Sequence, residues 1–282
     1  MSTLKLDTYS LKDSDFRKIS RLVYEHCGIN LHEGKRELVR ARLAKRLRLG
    51  KFKSFPEYMR HMLQDETGKE FSMLIDSLST NLTSFFRENQ HFEYLKTKLL
   101  PPLLAKKRKQ NTNRIRCWSA GCSSGEEPYS IAITMLEALT SQGRWDLKIL
   151  ATDISTEILE KAKKGIYDQA RVAVVPGMLK NRYLIRQGSG DNKTFEVGLQ
   201  LRQAVIFHYL NLMESWPITG PLDFIFCRNV MIYFDKPTQQ KLVNRFYDIL
   251  DSGGILFTGH SESLTGIKNK FDYVQPTIYL KP

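Results

Sequence analysis

The sequence lacks the features that mark membrane-spanning, secreted and zinc-binding proteins. No run of apolar residues approaches the length of about 20 residues that crosses a bilayer. The first residues, MSTLKLDTYSLKDSDF, contain acids and no apolar core, so we expect no signal peptide. The four cysteines form no C-x-x-C pair, and no histidine stands at metal-ligand spacing from them. We therefore expect a reduced cytoplasmic protein without a metal and without membrane insertion.

The G-x-G-x-x-G fingerprint of dehydrogenases is also missing. Residues 115–131, IRCWSAGCSSGEEPYSI, instead have the pattern of a strand, a glycine-bearing turn and the start of a helix. Gly121 and Gly125 can adopt positive φ there, which lets backbone N–H groups approach a ligand. Glu126 and Glu127 stand where a pyrophosphate would bind, and they would repel it. A cofactor without phosphates and with a cationic amino-acid tail fits this charge, which favours S-adenosylmethionine over NAD.

Positive charge is in excess, and much of it is concentrated in one segment. The net charge of +13 over 282 residues implies an acidic partner, which could be nucleic acid, an anionic membrane or an acidic protein surface. Residues 35–53 contain nine basic residues against one acid, and Leu38, Val39, Leu43 and Leu47 recur there at helical spacing. We predict an amphipathic helix whose cationic face docks a partner. The docking residues would be Arg40, Arg42, Arg46 and Arg48.

The first part of the chain has the pattern of a small helical domain, residues 1–90. We predict helices at 14–27, along the basic segment, at 54–64 and at 69–78, with Ser14 and Ser54 as N-caps. A further helix around 88–100 would end at Pro101 and Pro102. The basic run 106–116 would then be a linker, so that residues 91–113 form a helix and a linker.

Residues 114–282 alternate strands with helices, which predicts a doubly wound parallel sheet. The predicted strands are 115–119, 148–152, 205–209, 222–227 and 254–258, and the predicted helices are 127–139, 156–164 and 236–250. Residues 273–280 would form one closing edge strand, where Pro276 is tolerated. A β-hairpin subdomain is inserted at about 168–204, because alternating segments 182–186 and 194–197 flank a GSGDNK turn.

Several predicted strands end in polar residues: Asp153, then Asn211 beside Leu212, then Arg228 and Asn229. Ligands of open α/β sheets bind beyond the carboxyl ends of the strands, so we expect these residues to face one crevice. Asp153 also stands at the distance from the glycine turn at which such folds place a carboxylate on ribose hydroxyls.

Six segments together resemble the bacterial chemotaxis receptor methyltransferases, the CheR family. They are TNLTSFFRE (80–88), WSAGCSSGEEPYSIAI, ATDIS, NL, FCRNVMIYFD (226–235) and GHSES (259–263). The resemblance covers nearly the whole chain. It implies an α/β fold with a Rossmann-like class I methyltransferase sheet, preceded by a small all-α domain and carrying a small antiparallel β insertion.

The resemblance also implies the activity: O-methylation of glutamate side chains on the cytoplasmic domain of methyl-accepting chemotaxis receptors. S-adenosylmethionine would be the methyl donor and S-adenosylhomocysteine the product, with no metal. In the family the hairpin insertion can dock a tether peptide from a receptor C-terminus by strand addition. Which receptors and glutamates are modified is left open.

The expected site follows from the motif match and from the glycine turn. Its cofactor-binding residues would be Asn81, Thr83, Arg87, Gly121, Glu127, Asp153, Asn211, Leu212, Arg228 and Asn229. Asp153 would accept from the ribose hydroxyls, and Glu127 would pair with the methionine ammonium. Asn211 and the backbone beside it would suit the adenine edge, since an amide is both donor and acceptor. Arg87 would pair with the cofactor carboxylate or steer the acidic substrate.

A glutamate with a pKa of about 4.3 is already ionised at neutral pH, so the transfer needs no general base. We expect direct in-line transfer that depends on alignment and on exclusion of water, with Tyr233 and Arg87 as the catalytic residues. Two other functions stay open. The charge favours a nucleic-acid methyltransferase, although no N-P-P-Y loop follows 222–227 and no proline precedes Cys227. The second is a non-catalytic regulatory module.

Overall fold

The computed structural model describes residues 9–282. Residues 1–8, which belong to the predicted helical domain and to the segment in which we expected no signal peptide, lie outside the described residues. The N-terminal part is helical as predicted. Its helices are α1 (Asp13–Cys27), α2 (Arg36–Leu49), α3 (Phe55–Gln64) and α4 (Lys69–Leu78). They enclose one apolar core in which Phe16, Leu43 and Tyr58 are at most 2% exposed. Burial of these faces, rather than helix propensity, stabilises such short helices.

One predicted helix cap is confirmed and the other is wrong. Ser54 caps α3, because its side chain accepts a hydrogen bond from the Glu57 N–H at 3.3 Å. Ser14 lies inside the first turn of α1, where Lys12 is the N-cap. The Lys12 carbonyl already accepts bonds from the N–H groups of Asp15 and Phe16, so the helix begins before Ser14 can cap it.

Helix α2 is shorter than the basic segment, and its apolar stripe differs from the prediction by one residue. Val39, Leu43 and Leu47 are buried at i, i+4, i+8 spacing. Leu38, which we predicted to lie on the same stripe, is 47% exposed. A residue one position away points about 100° to the side on a helix, and this rotation carries Leu38 off the stripe.

The prediction that a helix ends at Pro101 and a linker follows is wrong. The chain runs through α5 (Gln90–Tyr94), a π-helical turn (Leu95–Leu99) and α6 (Leu100–Lys109). The Leu100 N–H bonds to the Leu95 carbonyl, one residue farther than in an α-helix. The prolines then fall in the first turn of α6, the part of a helix that tolerates proline.

Residues from Arg114 onward form the predicted α/β unit around a seven-stranded sheet. Its strands are β1 (Arg114–Ala120), β2 (Asp146–Asp153), β6 (Val205–Tyr209), β7 (Leu222–Cys227), β8 (Leu250–Thr258), β9 (Asp272–Gln275) and β10 (Ile278–Leu280). They lie in the order β6-β2-β1-β7-β8-β10-β9. The first five in that order pair in parallel, so their carboxyl ends meet at one edge. The three longer helices of the unit are α7 (Glu126–Leu139), α8 (Thr156–Lys164) and α11 (Lys236–Ile249).

The closing edge is a hairpin and not the single strand predicted for 273–280. β9 and β10 pair antiparallel, and Thr277 between them has φ +66°. Pro276 lies in the turn with Thr277, where its missing N–H costs no ladder hydrogen bond. Apolar clusters cover both faces of the main sheet, which is the doubly wound arrangement.

The insertion between α8 and β6 forms a separate small three-stranded sheet. Its strands are β3 (Ile166–Asp168), β4 (Leu184–Gln187) and β5 (Thr194–Val197), in the order β3-β5-β4. Two short helices accompany it, α9 (Gly177–Tyr183) and α10 (Leu199–Ala204). β4 and β5 pair antiparallel from Leu184 opposite Val197 to Gln187 opposite Thr194, which confirms the predicted hairpin. Among residues 9–282, no helix combines the length and the apolar character that crossing a membrane needs.

Candidate functional site

A cavity of about 310 Å³ opens at the carboxyl edge of the parallel strands. Its walls come from the loops after β1, β2, β6 and β7, from the segment before α5, and from Cys27 and Ile29 at the end of α1. Every residue expected at the site lines it: Asn81, Thr83, Arg87, Gly121, Glu127, Asp153, Asn211, Leu212, Arg228, Asn229 and Tyr233. The cavity therefore lies between the helical domain and the α/β unit. The strand ends predicted the wall that the α/β unit contributes, but not the wall that the helical domain contributes.

The glycine turn has the predicted conformation but uses its N–H groups differently. Gly121 has φ +82° and Gly125 has φ +95°. A Cβ on Gly121 would lie 2.3 Å from the Val230 side chain, so only glycine fits there. The Gly121 N–H, which we expected to face a ligand, donates to the Thr152 carbonyl at 2.8 Å. The turn is thus fastened to the end of β2, and it offers the cavity a flat wall rather than a row of donors.

Only one of the two acids in the turn faces the cavity. Glu126 is fully buried and accepts a hydrogen bond from Arg171 Nη1 at 2.6 Å, outside the cavity wall. Glu127 lines the cavity and accepts from the Ser119 hydroxyl at 2.7 Å. Successive helix residues point in different directions, so the pair cannot act together as the repelling charges we expected.

Asp153 lies at the end of β2, as predicted, and its position is fixed by the backbone. Its carboxylate accepts the N–H groups of Ser123 at 2.8 Å and Ser155 at 3.0 Å. Burial raises the pKa of Asp153, and these N–H donors oppose that shift. A carboxylate has further acceptor positions, so Asp153 can still accept hydroxyl hydrogen bonds from the cavity.

Arg228 is clamped between two carboxylates at the back of the site. Its guanidinium is 3.2 Å from Glu88 and 3.3 Å from Glu127, and it also donates to the Arg87 carbonyl. The Arg228 side chain is 2% exposed. Burial raises the pKa of Glu127, and Arg228 opposes that shift. Arg228 thus holds Glu127 and the segment before α5 together, a role that the sequence did not indicate.

The charged residues that line the cavity are two acids, Glu127 and Asp153, and two cations, Arg87 and Arg228. Arg228 is already paired with Glu127 and with Glu88 behind it. A phosphate placed beside Glu127 and Asp153 would be repelled, whereas an ammonium group there would be attracted.

The side chain of Asn211 does not have the role we expected at an adenine edge. Its amide donates to the His26 carbonyl at 2.7 Å and to Glu214 at 3.1 Å, and its oxygen accepts the Met213 N–H at 3.0 Å. Both N–H donors are therefore used within the protein. The backbone of Asn211 and Leu212 remains on the cavity wall.

Arg87 lies in a strained segment above the cavity. The residues on either side of it, Phe86 and Glu88, have φ of +52° and +56°. Positive φ is costly for a bulky side chain and is concentrated at functional sites. Arg87 Nη1 donates to the Leu82 carbonyl at 2.8 Å, which directs the guanidinium along the segment.

Tyr233 stands on the opposite wall, in a short 3₁₀ turn (Met231–Tyr233). The helical domain holds this turn, because the Asn30 N–H donates to the Tyr233 carbonyl at 2.8 Å. The Lys35 ammonium lies 5.5 Å from the centre of the Tyr233 ring. The Lys35 ammonium therefore places positive charge beside the Tyr233 ring, which suits an approaching carboxylate.

Glu262 holds the loops beside the site, and we did not single it out although the GHSES motif contains it. Its buried carboxylate accepts the N–H groups of Asn229 at 2.7 Å, Gly259 at 2.6 Å and Ile232 at 3.2 Å. Burial raises the pKa of Glu262 and these N–H donors oppose it. The residue fixes the two loops that follow β7 and β8.

The cationic face of α2 is partly neutralised by the rest of the helical domain. Arg46 pairs with Glu70 of α4, Arg40 lies 2.9 Å from Glu37, and Arg42 donates to the Leu78 carbonyl and the Thr80 hydroxyl. Both side chains of the Arg46–Glu70 pair are 15% exposed. Our view of these cations as nearly without acidic partners was therefore wrong, since Glu70 is distant in sequence and adjacent in space.

No group of three or more His, Cys, Asp and Glu side chains within residues 9–282 is arranged to hold a metal ion. The four cysteines are free and buried. Burial raises the pKa of Cys27, which lines the cavity, to about 11. This thiol is therefore protonated at neutral pH and is no nucleophile.

Comparisons with known proteins identify the family of this chain. The family model described as the CheR methyltransferase all-alpha domain matches residues 14–79, and that of the CheR methyltransferase SAM binding domain matches residues 81–280. The chain is 42% identical over 275 residues to the chemotaxis protein methyltransferase of Borreliella burgdorferi, covering 96% of this chain and 95% of that protein. It is 44% identical over 269 residues to chemotaxis protein methyltransferase 2 of Pseudomonas aeruginosa, covering 94% and 92%.

A third relative, the chemotaxis protein methyltransferase of Escherichia coli, is 41% identical over 272 residues, covering 96% of this chain and 91% of that protein. The matches span both the helical domain and the α/β unit, so they include all the walls of the cavity. The chain therefore belongs to the CheR methyltransferase family, and its α/β unit is the S-adenosylmethionine-binding domain of that family.

Proposed function

We propose that this enzyme methylates glutamate side chains on the cytoplasmic domain of methyl-accepting chemotaxis receptors, giving glutamate methyl esters for adaptation. The observation that carries the proposal is one cavity that brings the acids Glu127 and Asp153 together with Arg87 and Tyr233. The first pair suits a cationic cofactor, and the second suits an anionic substrate. The chemotaxis relatives support a receptor as the partner.

The residues present fit S-adenosylmethionine. Asp153 would accept from the ribose hydroxyls, Glu127 would pair with the ammonium group, and the backbone at Asn211 and Leu212 would face the adenine. Gly121 leaves the wall flat beside them. When bound, the cofactor supplies a methyl group that its sulfonium has already activated. Further cofactor contacts would come from Asn81, Thr83 and Asn229, and Arg228 would position Glu127.

The protein itself has little acid or base chemistry to perform. The substrate carboxylate is ionised at neutral pH, so no residue has to remove a proton. Arg87 and Tyr233 would hold the carboxylate in line with the methyl group, and direct transfer would need no covalent enzyme intermediate. The strained segment around Arg87 would cover the reacting groups and exclude water.

Receptor docking would use the cations of α2 that remain exposed. Lys45 and Arg48 are exposed, and Lys35 brings positive charge to Tyr233 at the cavity mouth. Together with Arg40 and Arg42 they would follow an acid-rich receptor helix. A receptor tether peptide would add a strand to the small sheet, where β4 lies at an edge. The reaction would take place in the cytoplasm, where these receptor domains lie.

Transfer of labelled methyl from S-adenosylmethionine to receptor cytoplasmic fragments, beside total RNA and DNA, tests the proposal. We expect alkali-labile label on the receptor, because methyl esters hydrolyse in base, and its loss when the target glutamates become alanine. Stable label on nucleic acid would instead establish the nucleic-acid methyltransferase. Absence of transfer to either, with cofactor binding intact, would leave the regulatory module.

A further inference from the structure

One face of the main sheet is left uncovered at its β6 edge. A second cavity, of about 790 Å³, lies over this face, and Leu210 is the one residue among 9–282 that lines both cavities. On β2, Ile149 points to the opposite face and is fully buried, whereas Leu150 on the uncovered face is only partly buried. On β6, Val205 is 6% exposed and Ile206 is 42% exposed. The same two strands are therefore covered on one side and open on the other.

The face is open because the connection between β6 and β7 contains no helix. Parallel strands of a doubly wound sheet are usually joined by a crossover helix that packs on the sheet. The connections from β1 to β2 and from β7 to β8 contain α7 and α11, whereas residues 210–221 form no helix. Trp216 in that segment packs on Trp118 of β1, with 4.7 Å between ring centres, so β1 is covered and β2 and β6 are not. Parallel strands are normally buried on both faces, so this apolar surface calls for an occupant.

The strand register places positive charge beside apolar area on the uncovered surface. Arg116 of β1 lies opposite Lys148 of β2, which gives a cationic row near the amino ends of the strands. Two residues farther along, Leu150 of β2 lies opposite Ile206 of β6, which gives an apolar row. Alternate residues of a strand point to the same side of a sheet, so the two rows share one surface. We refer to Arg116, Lys148, Leu150 and Ile206 as the open face.

Positive charge exceeds negative charge around the open face. Four cations line the cavity there, and no Asp or Glu among residues 9–282 does so. Lys107 is paired with the buried Asp223, and Arg114 and Arg116 share the single carboxylate of Asp146. The lysine of the open face donates to a backbone carbonyl at 2.9 Å, which does not neutralise its charge. A partner that carries carboxylates would therefore be attracted to this surface.

We propose that the open face binds an acidic amphipathic helix of a partner protein, which supplies the helix that the β6–β7 connection lacks. From Lys148 to Thr152 the face is about 13 Å long, which matches roughly nine residues of a helix lying along the strands. Apolar residues on one side of that helix would cover Leu150 and Ile206, and its glutamates would meet Arg116 and Lys148. A nucleic acid would bring phosphates against the apolar row, so the surface favours a protein helix. This interaction is independent of the proposed receptor methylation.

The test is methyl NMR on the full chain with labelled isoleucine, titrated with an acidic peptide of about 14 residues. The peptide carries leucine at i, i+3, i+4 and i+7 spacing with glutamates beside that stripe, and a scrambled peptide of the same composition is its control. Ile206→Val identifies the Ile206 methyl signal. We expect this signal to shift, with a Kd for the amphipathic peptide about tenfold lower than for the scrambled one.

Variants of the open face then locate the binding. Ile206→Glu should raise the Kd for the amphipathic peptide about tenfold and leave the Kd for S-adenosylmethionine unchanged. Lys148→Glu carries the same test if Ile206→Glu does not fold. Leu63→Glu is the matched control, because Leu63 on α3 is 65% exposed and does not line this cavity. Its Kd should equal that of the wild type.

Four outcomes would overturn the proposal. Equal Kd values for the two peptides would show attraction by charge alone, and a larger Ile206 shift with an RNA of equal charge would show a nucleic-acid surface. A shift that depends on protein concentration without peptide would make a second copy of the chain the occupant. A shift on deletion of residues 1–8 would make the chain's own N-terminus the occupant.

Discussion

The side-chain amide of Asn211 donates a hydrogen bond to the backbone carbonyl of His26, 2.7 Å away. Asn211 follows β6 of the main sheet, and His26 belongs to the last turn of α1. The bond therefore joins the helical domain to the cavity wall, next to Cys27, which lines the same cavity. The adenine end of the proposed cofactor site is thus built where the two parts of the chain meet.

Replacing Asn211 should affect both stability and cofactor binding. Asn211→Ala removes three hydrogen bonds and leaves the His26 carbonyl and the Met213 N–H without their partner. We expect a loss of about 3 kcal/mol in the free energy of unfolding and a higher Kd for S-adenosylmethionine. Urea denaturation and calorimetric titration measure the two effects. Asn244→Ala on the exposed face of α11 is the control. An equal free energy of unfolding for Asn211→Ala and Asn244→Ala would contradict this account.

Tyr233→Phe should slow methyl transfer without weakening the binding of the cofactor. The hydroxyl is the only group removed, and the aromatic ring stays beside the Lys35 ammonium. We expect kcat to fall about tenfold to a hundredfold, with the Kd for S-adenosylmethionine unchanged. Rapid-quench transfer at saturating cofactor gives kcat, and calorimetry gives the Kd. Unchanged turnover would remove Tyr233 from the mechanism.

Charge reversals on α2 should separate docking residues from structural ones. Lys45→Glu/Arg48→Glu changes exposed cations, so KM for the receptor fragment should rise about tenfold at low salt, with the cofactor Kd unchanged. Arg46→Ala should instead lower the free energy of unfolding by about 2 kcal/mol, because it leaves Glu70 without its partner in a site that is 15% exposed.

The control for the reversals is Lys109→Glu/Lys268→Glu, which changes the net charge by the same amount at exposed positions away from α2. Its KM should lie near the wild-type value. If both double variants raise KM equally, the effect belongs to the total charge and not to the helix. If neither does so at low salt, α2 is not the docking surface.

His91 should give the protein a measurable acid sensitivity. Burial, with Arg228 and His260 nearby, lowers the pKa of His91 to about 3, and its ring also faces Glu88 and the Thr277 hydroxyl. A lowered pKa in the folded state contributes stability above the unfolded pKa of about 6.5, which is lost as pH falls toward 3. The slope over that range is about 1.4 kcal/mol per pH unit for one proton.

The measurement is the free energy of unfolding at pH 7, 6 and 5 for the wild type and for His91→Gln. The wild type should lose its advantage as pH falls. The raised pKa values of Glu127, Asp153 and Glu262 act in the opposite direction, and they cancel because both proteins contain them. His208→Gln, at an exposed position, should follow the wild type. Parallel curves for all three proteins would show that His91 does not control the acid response.

Local patterns were enough to predict much of the fold. The strands at Val205–Tyr209 and Leu222–Cys227 have the predicted bounds, as do the helices at Thr156–Lys164 and Lys69–Leu78. Apolar residues recur with period two in strands and period 3.6 in helices because one face is buried, so the sequence pattern predicts these elements. The errors at Pro101 and at 273–280 arose because a π turn and a two-residue reversal depend on packing and not on composition.

The sequence by itself determined which residues come to the cavity, since parallel strands must end at one edge and Asp153, Asn211 and Arg228 follow such strands. Only the tertiary structure decided what each side chain does there. The Asn211 amide donates to a carbonyl of the helical domain, Glu127 pairs with Arg228, and Arg46 pairs with Glu70. Hydrogen bonds and ion pairs go to whichever partner is nearest in space, and that partner can be far away along the chain.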